Sequence, residues 1–143
     1  MKRRPLALTV VIVGNLALSA ATIVTPLQPA CAQGSQAGYA DKSPKSFAED
    51  VMPIFRGRCV SCHQPGGKGY ENSGVDLTNY DGLMKGTKYG HIVVPGQPFV
   101  SNLMVLLDWR SSPQLRMPHG AKQLSICDRS AISAWIKQGA LNN

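Results

Sequence analysis

The chain has 143 residues, with 15 Lys or Arg against 8 Asp or Glu, giving a formal net charge of +7 at pH 7. Three of the basic residues lie in an N-terminal leader, and the rest of the chain carries only +4 without a Lys- or Arg-rich run. This distribution argues against nucleic-acid binding, and the remaining length suits one small domain with a modest core.

The leader has the three parts of a secretory signal peptide. Residues 2–4 are basic, residues 6–24 are almost wholly apolar, and residues 30–32 form an Ala-Cys-Ala cleavage pattern. We therefore predict that residues 1–32 are removed and that the mature chain is periplasmic and not inserted in the membrane. The alternative is an uncleaved anchor, because the apolar run is nearly long enough to span a bilayer.

Residues 33–45 are rich in small and polar residues and predict a flexible segment ahead of one domain over residues 46–143. Ser46, with Glu49 three residues later, predicts a helix start with a capping box. Pro53 indicates that this helix is short or kinked. Apolar residues at helical spacing are expected in the core: Phe47, Val51, Ile54 and Phe55.

A cysteine motif follows this helix. Residues 59–63 read Cys-Val-Ser-Cys-His, the covalent attachment signature for c-type haem. Two thiols at this spacing can form thioethers with the vinyl groups of one porphyrin, and the adjacent imidazole can ligate the iron. We predict one haem c held by Cys59, Cys62 and His63. The alternatives are a thioredoxin-like dithiol, half of a zinc site and a structural disulfide, but neither a βαβ context nor a second ligand pair is evident.

Three more helices are predicted downstream, at residues 77–84, 101–109 and 126–138. Gly86 ends the first of these, while Ser125 caps the last and Gly139 stops it. Stretches that contain Gly and Pro are expected to form loops: residues 64–74, 85–100 and 110–124. The expected fold is all-α, a small helical domain with long loops around one covalent haem.

The sixth ligand of the iron has several candidates. Met117 has the best position, because it lies in a loop before the last helix and Pro118 stiffens its path. His119, His91 and an open coordination site are the alternatives. A thioether would raise the reduction potential, whereas a second imidazole would lower it. Two other methionines lie in apolar helical stripes and are expected to fill the core: Met84 and Met104.

Cys127 is left over once Cys59 and Cys62 bind haem and Cys31 leaves with the leader. Its place near the start of a predicted helix is one that can lower a thiol pKa. We expect a buried, inert thiol, with a reactive thiol as the alternative.

The run from Phe47 to Gly139 resembles a single-haem domain of the planctomycete-type cytochrome c family. The segments that carry the resemblance are residues 51–55, 58–63, 77–86, 94–98, 101–103, 117–118, 124–125 and 135–140. The resemblance implies a cytochrome c fold, His63 and Met117 as axial ligands, and electron transfer. The chain departs from the family pattern at His119, where Pro or Gly is frequent.

The favoured function is single-electron transfer in the periplasm through a His/Met-ligated haem c, without catalytic activity of the chain's own. The alternatives are a haem subunit of a larger periplasmic oxidoreductase and a haem-based ligand-binding or sensor module. The mild positive charge suits acidic redox proteins as partners. Nucleic acid is not an expected partner, and the sequence leaves the oligomeric state open.

Overall fold

A computed structural model describes residues 43–143, so the predicted leader and most of the flexible segment lie outside the described residues. Its helices are a π-helical turn (Phe47–Val51), α1 (Met52–Arg58), α2 (Lys68–Ser73), α3 (Tyr80–Lys85), α4 (Asn102–Leu107), a 3-10 turn (Pro113–Leu115) and α5 (Ile126–Lys137). Within the described residues no strand forms beyond an isolated bridge, which confirms the all-α prediction. None of the described helices is long and apolar enough to cross a membrane.

The first helical turn is wider than an α-helical turn. Ser46 caps it as predicted, and its Oγ accepts a hydrogen bond from the Glu49 backbone N–H at 3.2 Å. The predicted capping-box partner is wrong, since the carboxylate that reaches back to the Ser46 N–H, at 2.8 Å, is that of Asp50. The Val51 N–H donates to the Ser46 carbonyl five residues earlier, at 3.3 Å. Because of this π-type spacing, the carboxylate that reaches the Ser46 N–H belongs to the fourth residue after Ser46 rather than to the third.

An aromatic trio organises the core. The Phe47 ring lies 5.3 Å from the Tyr80 ring and 5.5 Å from the Trp135 ring, between centroids. Both polar groups of the trio are satisfied, because the Tyr80 hydroxyl donates to the Ala140 carbonyl and the Trp135 indole N–H to the Leu141 carbonyl, each at 2.8 Å. The trio therefore joins the first helix to α5 and to the residues that follow it.

The predicted apolar stripe of the first helix is largely confirmed, and α5 buries an apolar stripe against the same core. Their buried members are Phe47, Val51, Phe55, Ile132, Trp135 and Ile136, whereas Ile54 and Ala131 are half-buried. Ser125 caps α5 as predicted, with its Oγ accepting from the Asp128 N–H at 3.0 Å. Gly139 has a φ of 109°, a conformation that terminates the helix.

The two ends of the described domain lie together. The Phe47 N–H donates to Asn143 Oδ1 at 3.0 Å, and the Ala48 N–H donates to the Asn143 carbonyl at 2.9 Å. The Ser46 hydroxyl donates to that same carbonyl at 2.6 Å. The capped first turn is thereby fixed against the segment that follows α5.

Two predicted boundaries in the middle of the chain are wrong. α2 lies inside the predicted 64–74 loop, because backbone contacts to the cysteine motif support a short helix of low intrinsic propensity. α3 begins at Tyr80 rather than at residue 77. Before it, Asp76 Oδ1 accepts from the backbone N–H and the hydroxyl of Thr78, at 2.8 and 2.7 Å, which favours a turn over a helix. Asn79 caps α3, with its Oδ1 accepting from the Gly82 N–H at 2.8 Å.

α4 is shorter than the predicted 101–109 helix. It ends at Leu107, and Trp109 has a φ of 58°, which a right-handed helix cannot accommodate. Ser101 precedes α4 as predicted, but its hydroxyl makes no cap bond. Instead it accepts from the Val94 N–H and donates to the Gln97 carbonyl, each at 2.9 Å, while the residue is fully buried. It thus holds the preceding loop to α4.

Candidate haem-attachment site

The cysteine motif forms a compact turn at the end of α1. The Cys59 N–H continues the helical pattern by donating to the Phe55 carbonyl at 2.8 Å. The Cys62 and His63 N–H groups then both donate to the Cys59 carbonyl at 3.0 Å. One carbonyl therefore gathers the two cysteines and the histidine into a single turn, at the point where the rigid first helix delivers them.

The two thiols of this turn are free and differ in environment. Cys59 is half-buried and packs against the core, whereas Cys62 is exposed. Burial raises the pKa of the Cys59 thiol to about 11, although the nearby Arg58 guanidinium acts in the opposite direction. Cys59 therefore stays a neutral thiol at neutral pH. A structural disulfide, one of the alternatives from the sequence, is not formed between the two.

His63 presents a neutral imidazole. Burial lowers its pKa, and the Val75 backbone opposes that shift only in part. The Val75 approach is not a well-aligned hydrogen bond, since Nδ1 is buried without a hydrogen-bond partner. The backbone is better fixed, because the Leu77 N–H donates to the His63 carbonyl at 2.8 Å. A neutral imidazole is the form that binds metal.

Two glycines allow the chain after the motif to fold back against it. A Cβ on Gly69 would lie 2.8 Å from His63 Cε1 and 2.9 Å from both His63 Nε2 and the Cys62 carbonyl oxygen. A Cβ on Gly67 would overlap the Cys62 carbonyl. Gly66, by contrast, has open space around its Cα. Gly69 lies inside α2, whose formation the sequence did not predict.

Met117 lies in a separate loop that is hydrogen-bonded to α4 and to Trp109, two residues beyond the end of α4. Its N–H donates to the Leu106 carbonyl at 3.2 Å, and its carbonyl accepts from the Trp109 indole N–H at 2.9 Å. The Met117 side chain is half-buried and packs against the same hydrophobic core as Cys59. The backbone on both sides of this thioether is therefore fixed, which the sequence indicated only through Pro118.

The alternative ligands lie in more exposed places. His91 and His119 are both exposed, and His91 Nδ1 is 2.8 Å from the Met84 carbonyl. Met104 is buried and Met84 is half-buried against the core, as expected for methionines that fill space. Across residues 43–143, no group of three or more His, Cys, Asp or Glu side chains is arranged to hold a metal ion by itself.

The expectation of a leftover thiol at Cys127 is wrong. Cys127 is disulfide-bonded. Because Cys127 is oxidised, it takes no part in thiol chemistry. The free thiols among the described residues are those of Cys59 and Cys62 in the motif.

These residues fit a covalently bound haem, since the turn offers two unpaired thiols, a neutral imidazole whose buried Nδ1 has no hydrogen-bond partner, and glycine backbone where side chains would intrude. Comparison with known proteins gives one family match, to the model described as Planctomycete cytochrome C, over residues 59–119. No curated protein and no solved structure matches the chain. The matched range runs from Cys59 through the Met117 loop, and members of this family carry covalently bound haem. The match thus supports a planctomycete-type cytochrome c domain in this part of the chain.

Proposed function

We propose that this protein is a periplasmic one-electron carrier with a single haem c, attached through Cys59 and Cys62 and ligated by His63 and Met117. The observation that carries the proposal is the single turn in which one carbonyl gathers two free thiols and a neutral imidazole. The bound haem supplies an iron that cycles between Fe(III) and Fe(II). The chain's own residues attach it, orient it and tune it.

Attachment uses the two thiols of the turn. Each thiol adds its sulfur and its hydrogen across one vinyl group, so that a C–S bond forms and no other product leaves. The addition requires both cysteines in the reduced form, and both are free thiols in this structure. His63 follows Cys62 directly, and its neutral imidazole has a free nitrogen lone pair for the iron.

Met117 is the sixth ligand in this proposal. Its half-buried thioether packs against the core, and its backbone is held by α4 and Trp109. The rival imidazoles of His91 and His119 belong to exposed residues. A soft thioether favours Fe(II) and so raises the reduction potential. A ligand held on both sides also limits movement between redox states, which suits electron transfer over ligand binding.

Acidic redox proteins are the proposed partners. Basic side chains surround the motif in the chain: Arg56 and Arg58 close α1, and Lys68 opens α2. Lys122 joins them, because its carbonyl accepts a hydrogen bond from Arg58 at 3.3 Å. All four residues are exposed. A positive rim beside the attachment turn attracts a negative partner and orients it on encounter.

The proposal is tested on protein produced in a host that attaches haem c. Wild type is expected to keep haem through denaturation and to show a low-spin c-type spectrum with the weak red Met–Fe(III) band. Met117→Ala is expected to lose that band. Met84→Ala and His119→Ala are the matched controls and should keep it.

Either of two results would overturn a part of the proposal. Retention of the red band in Met117→Ala would show that another residue ligates the iron. Rapid CO binding by the reduced wild type would favour a sensor over an electron carrier. Absence of covalent haem from wild type would refute the proposal as a whole.

A further inference from the structure

The loop between α4 and Met117 contains two buried polar atoms that have no hydrogen-bond partner, Ser111 Oγ and Arg116 Nε. Both are donors, and they lie five residues apart in the segment that ends at the proposed ligand. Buried donors are nearly always paired in folded proteins, so two orphans in one loop indicate an acceptor that the polypeptide does not supply.

The side chain of Arg116 is held in place without being neutralised. Its guanidinium carbon lies 5.3 Å from the centre of the Trp109 ring, a cation–π contact. Among residues 43–143 no carboxylate lies within ion-pairing distance of it. The nearest acidic residue in the chain, Asp108, is already paired with Arg129 at 2.7 Å and lies 3.8 Å from Arg110. Within this described part of the chain, the partly buried Arg116 cation therefore has no counter-charge.

Trp109 connects this cation to the ligand loop. The same indole that stacks on Arg116 donates its N–H to the Met117 carbonyl at 2.9 Å. Trp109 adopts a φ of 58°, which a non-glycine residue rarely takes, so the surrounding contacts hold it in this arrangement. The position of the Arg116 guanidinium is thus set by the contacts that also set the position of Met117.

We propose that Arg116, assisted by the Ser111 hydroxyl, binds a carboxylate of the cofactor, namely a haem propionate. The inference rests on the proposed function, because it requires haem in this domain. A guanidinium offers Nε–H and an adjacent N–H in a planar fork that matches a carboxylate, and such charge-assisted bonds are strong where water is scarce. The propionate supplies the missing acceptor, and the cation beside the cofactor disfavours the extra positive charge of Fe(III).

Four variants of the haem-loaded protein test this assignment. Arg116→Met removes the charge and the fork, Arg116→Lys keeps the charge but loses Nε, and Ser111→Ala removes the second donor. Arg110→Met is the matched control, because Arg110 also stacks on an aromatic ring, that of Phe99 at 4.5 Å, but is exposed and already paired. The readouts are the midpoint potential at fixed pH and salt, and the propionate bending bands in the resonance Raman spectrum.

We expect Arg116→Met to lower the midpoint potential by up to about 59 mV, a tenfold change in a one-electron equilibrium, and to shift a propionate band. Arg116→Lys should shift the band with a smaller loss of potential, and Ser111→Ala should shift the band alone. Arg110→Met should leave the band unchanged. Unchanged bands in all three site variants, or equal potentials in Arg116→Met and Arg110→Met, would overturn the assignment while leaving the electron-carrier proposal intact. Absence of haem from wild type would overturn both.

Discussion

One methyl group at Gly69 tests how tightly the chain packs around His63. In a helix such as α2, alanine is ordinarily favoured over glycine by about 1 kcal/mol. Here the added Cβ would lie 2.8–2.9 Å from the imidazole and from the Cys62 carbonyl oxygen, so α2 or the ring must shift. Overpacking of this kind costs about 1–3 kcal/mol. We therefore expect Gly69→Ala to destabilise the haem-loaded protein by about 1 kcal/mol net and to perturb its axial-ligand spectrum.

Gly57→Ala is the control for this experiment. Gly57 lies in α1 with nothing within 4 Å of an added Cβ, so the variant should gain up to about 1 kcal/mol from helix propensity alone. The two variants should differ by about 2 kcal/mol, or about 8 °C or more in Tm for a domain of this size. Denaturant unfolding followed by absorbance measures both quantities. If both alanines stabilise the protein equally and the spectra match wild type, the close approach of α2 to His63 is refuted.

Three further substitutions test contacts away from Gly69. Ser101→Ala removes, from a fully buried position, the hydroxyl that accepts from the Val94 N–H and donates to the Gln97 carbonyl, and should cost about 1–3 kcal/mol in denaturant unfolding. A loss below roughly 0.5 kcal/mol would show that the loop finds other partners. Trp109→Phe keeps a ring but removes the N–H donor to the Met117 carbonyl, so the red thioether band should vanish at lower temperature than in wild type. Identical melting of that band would show that the indole does not hold the loop. Tyr80→Phe loses one hydrogen bond and should destabilise the protein by about 1 kcal/mol, with an unchanged haem spectrum.

The elements that the sequence predicts well are those whose signals are local. α5 has a cap at Ser125, an apolar stripe and a glycine stop at Gly139, and all three act within the helix itself. The Cys59–His63 motif is equally local, because its spacing alone brings the thiols and the imidazole into one turn. For these parts, each residue's neighbours along the chain are also its neighbours in space.

The elements that the sequence misses depend on distant contacts or on small changes of register. α2 has two backbone bonds to the motif region as its support, Tyr70 to Cys62 and Gly67 to Gln64, and its own residues include Gly69, a poor helix former. The carboxylate of the capping box belongs to Asp50 rather than to Glu49 because the first turn contains one extra residue. Neither feature leaves a periodic signal in the sequence.

The contacts that anchor Met117 could not be predicted from its neighbours in the sequence either. It depends on the left-handed backbone of Trp109, eight residues earlier, whose indole N–H turns back to the ligand loop. Nothing in the sequence distinguishes this tryptophan from one that only fills the core. The place of Met117 in a loop makes it a candidate ligand, but it does not reveal the contacts that hold this loop.

The meeting of the two ends of the domain has a consequence for protein engineering. Asn143 lies within hydrogen-bonding distance of Ser46, Phe47 and Ala48, so a linker of a few residues suffices to join the ends into a ring. Closely spaced ends favour circular permutation and insertion into a host protein, since the inserted domain enters and leaves at nearly one point. New ends opened at the exposed turn around Gly120 would leave Cys59–His63 and the Met117 loop on one continuous segment. The domain can then be inserted into a host protein with both connections remote in sequence from the attachment turn.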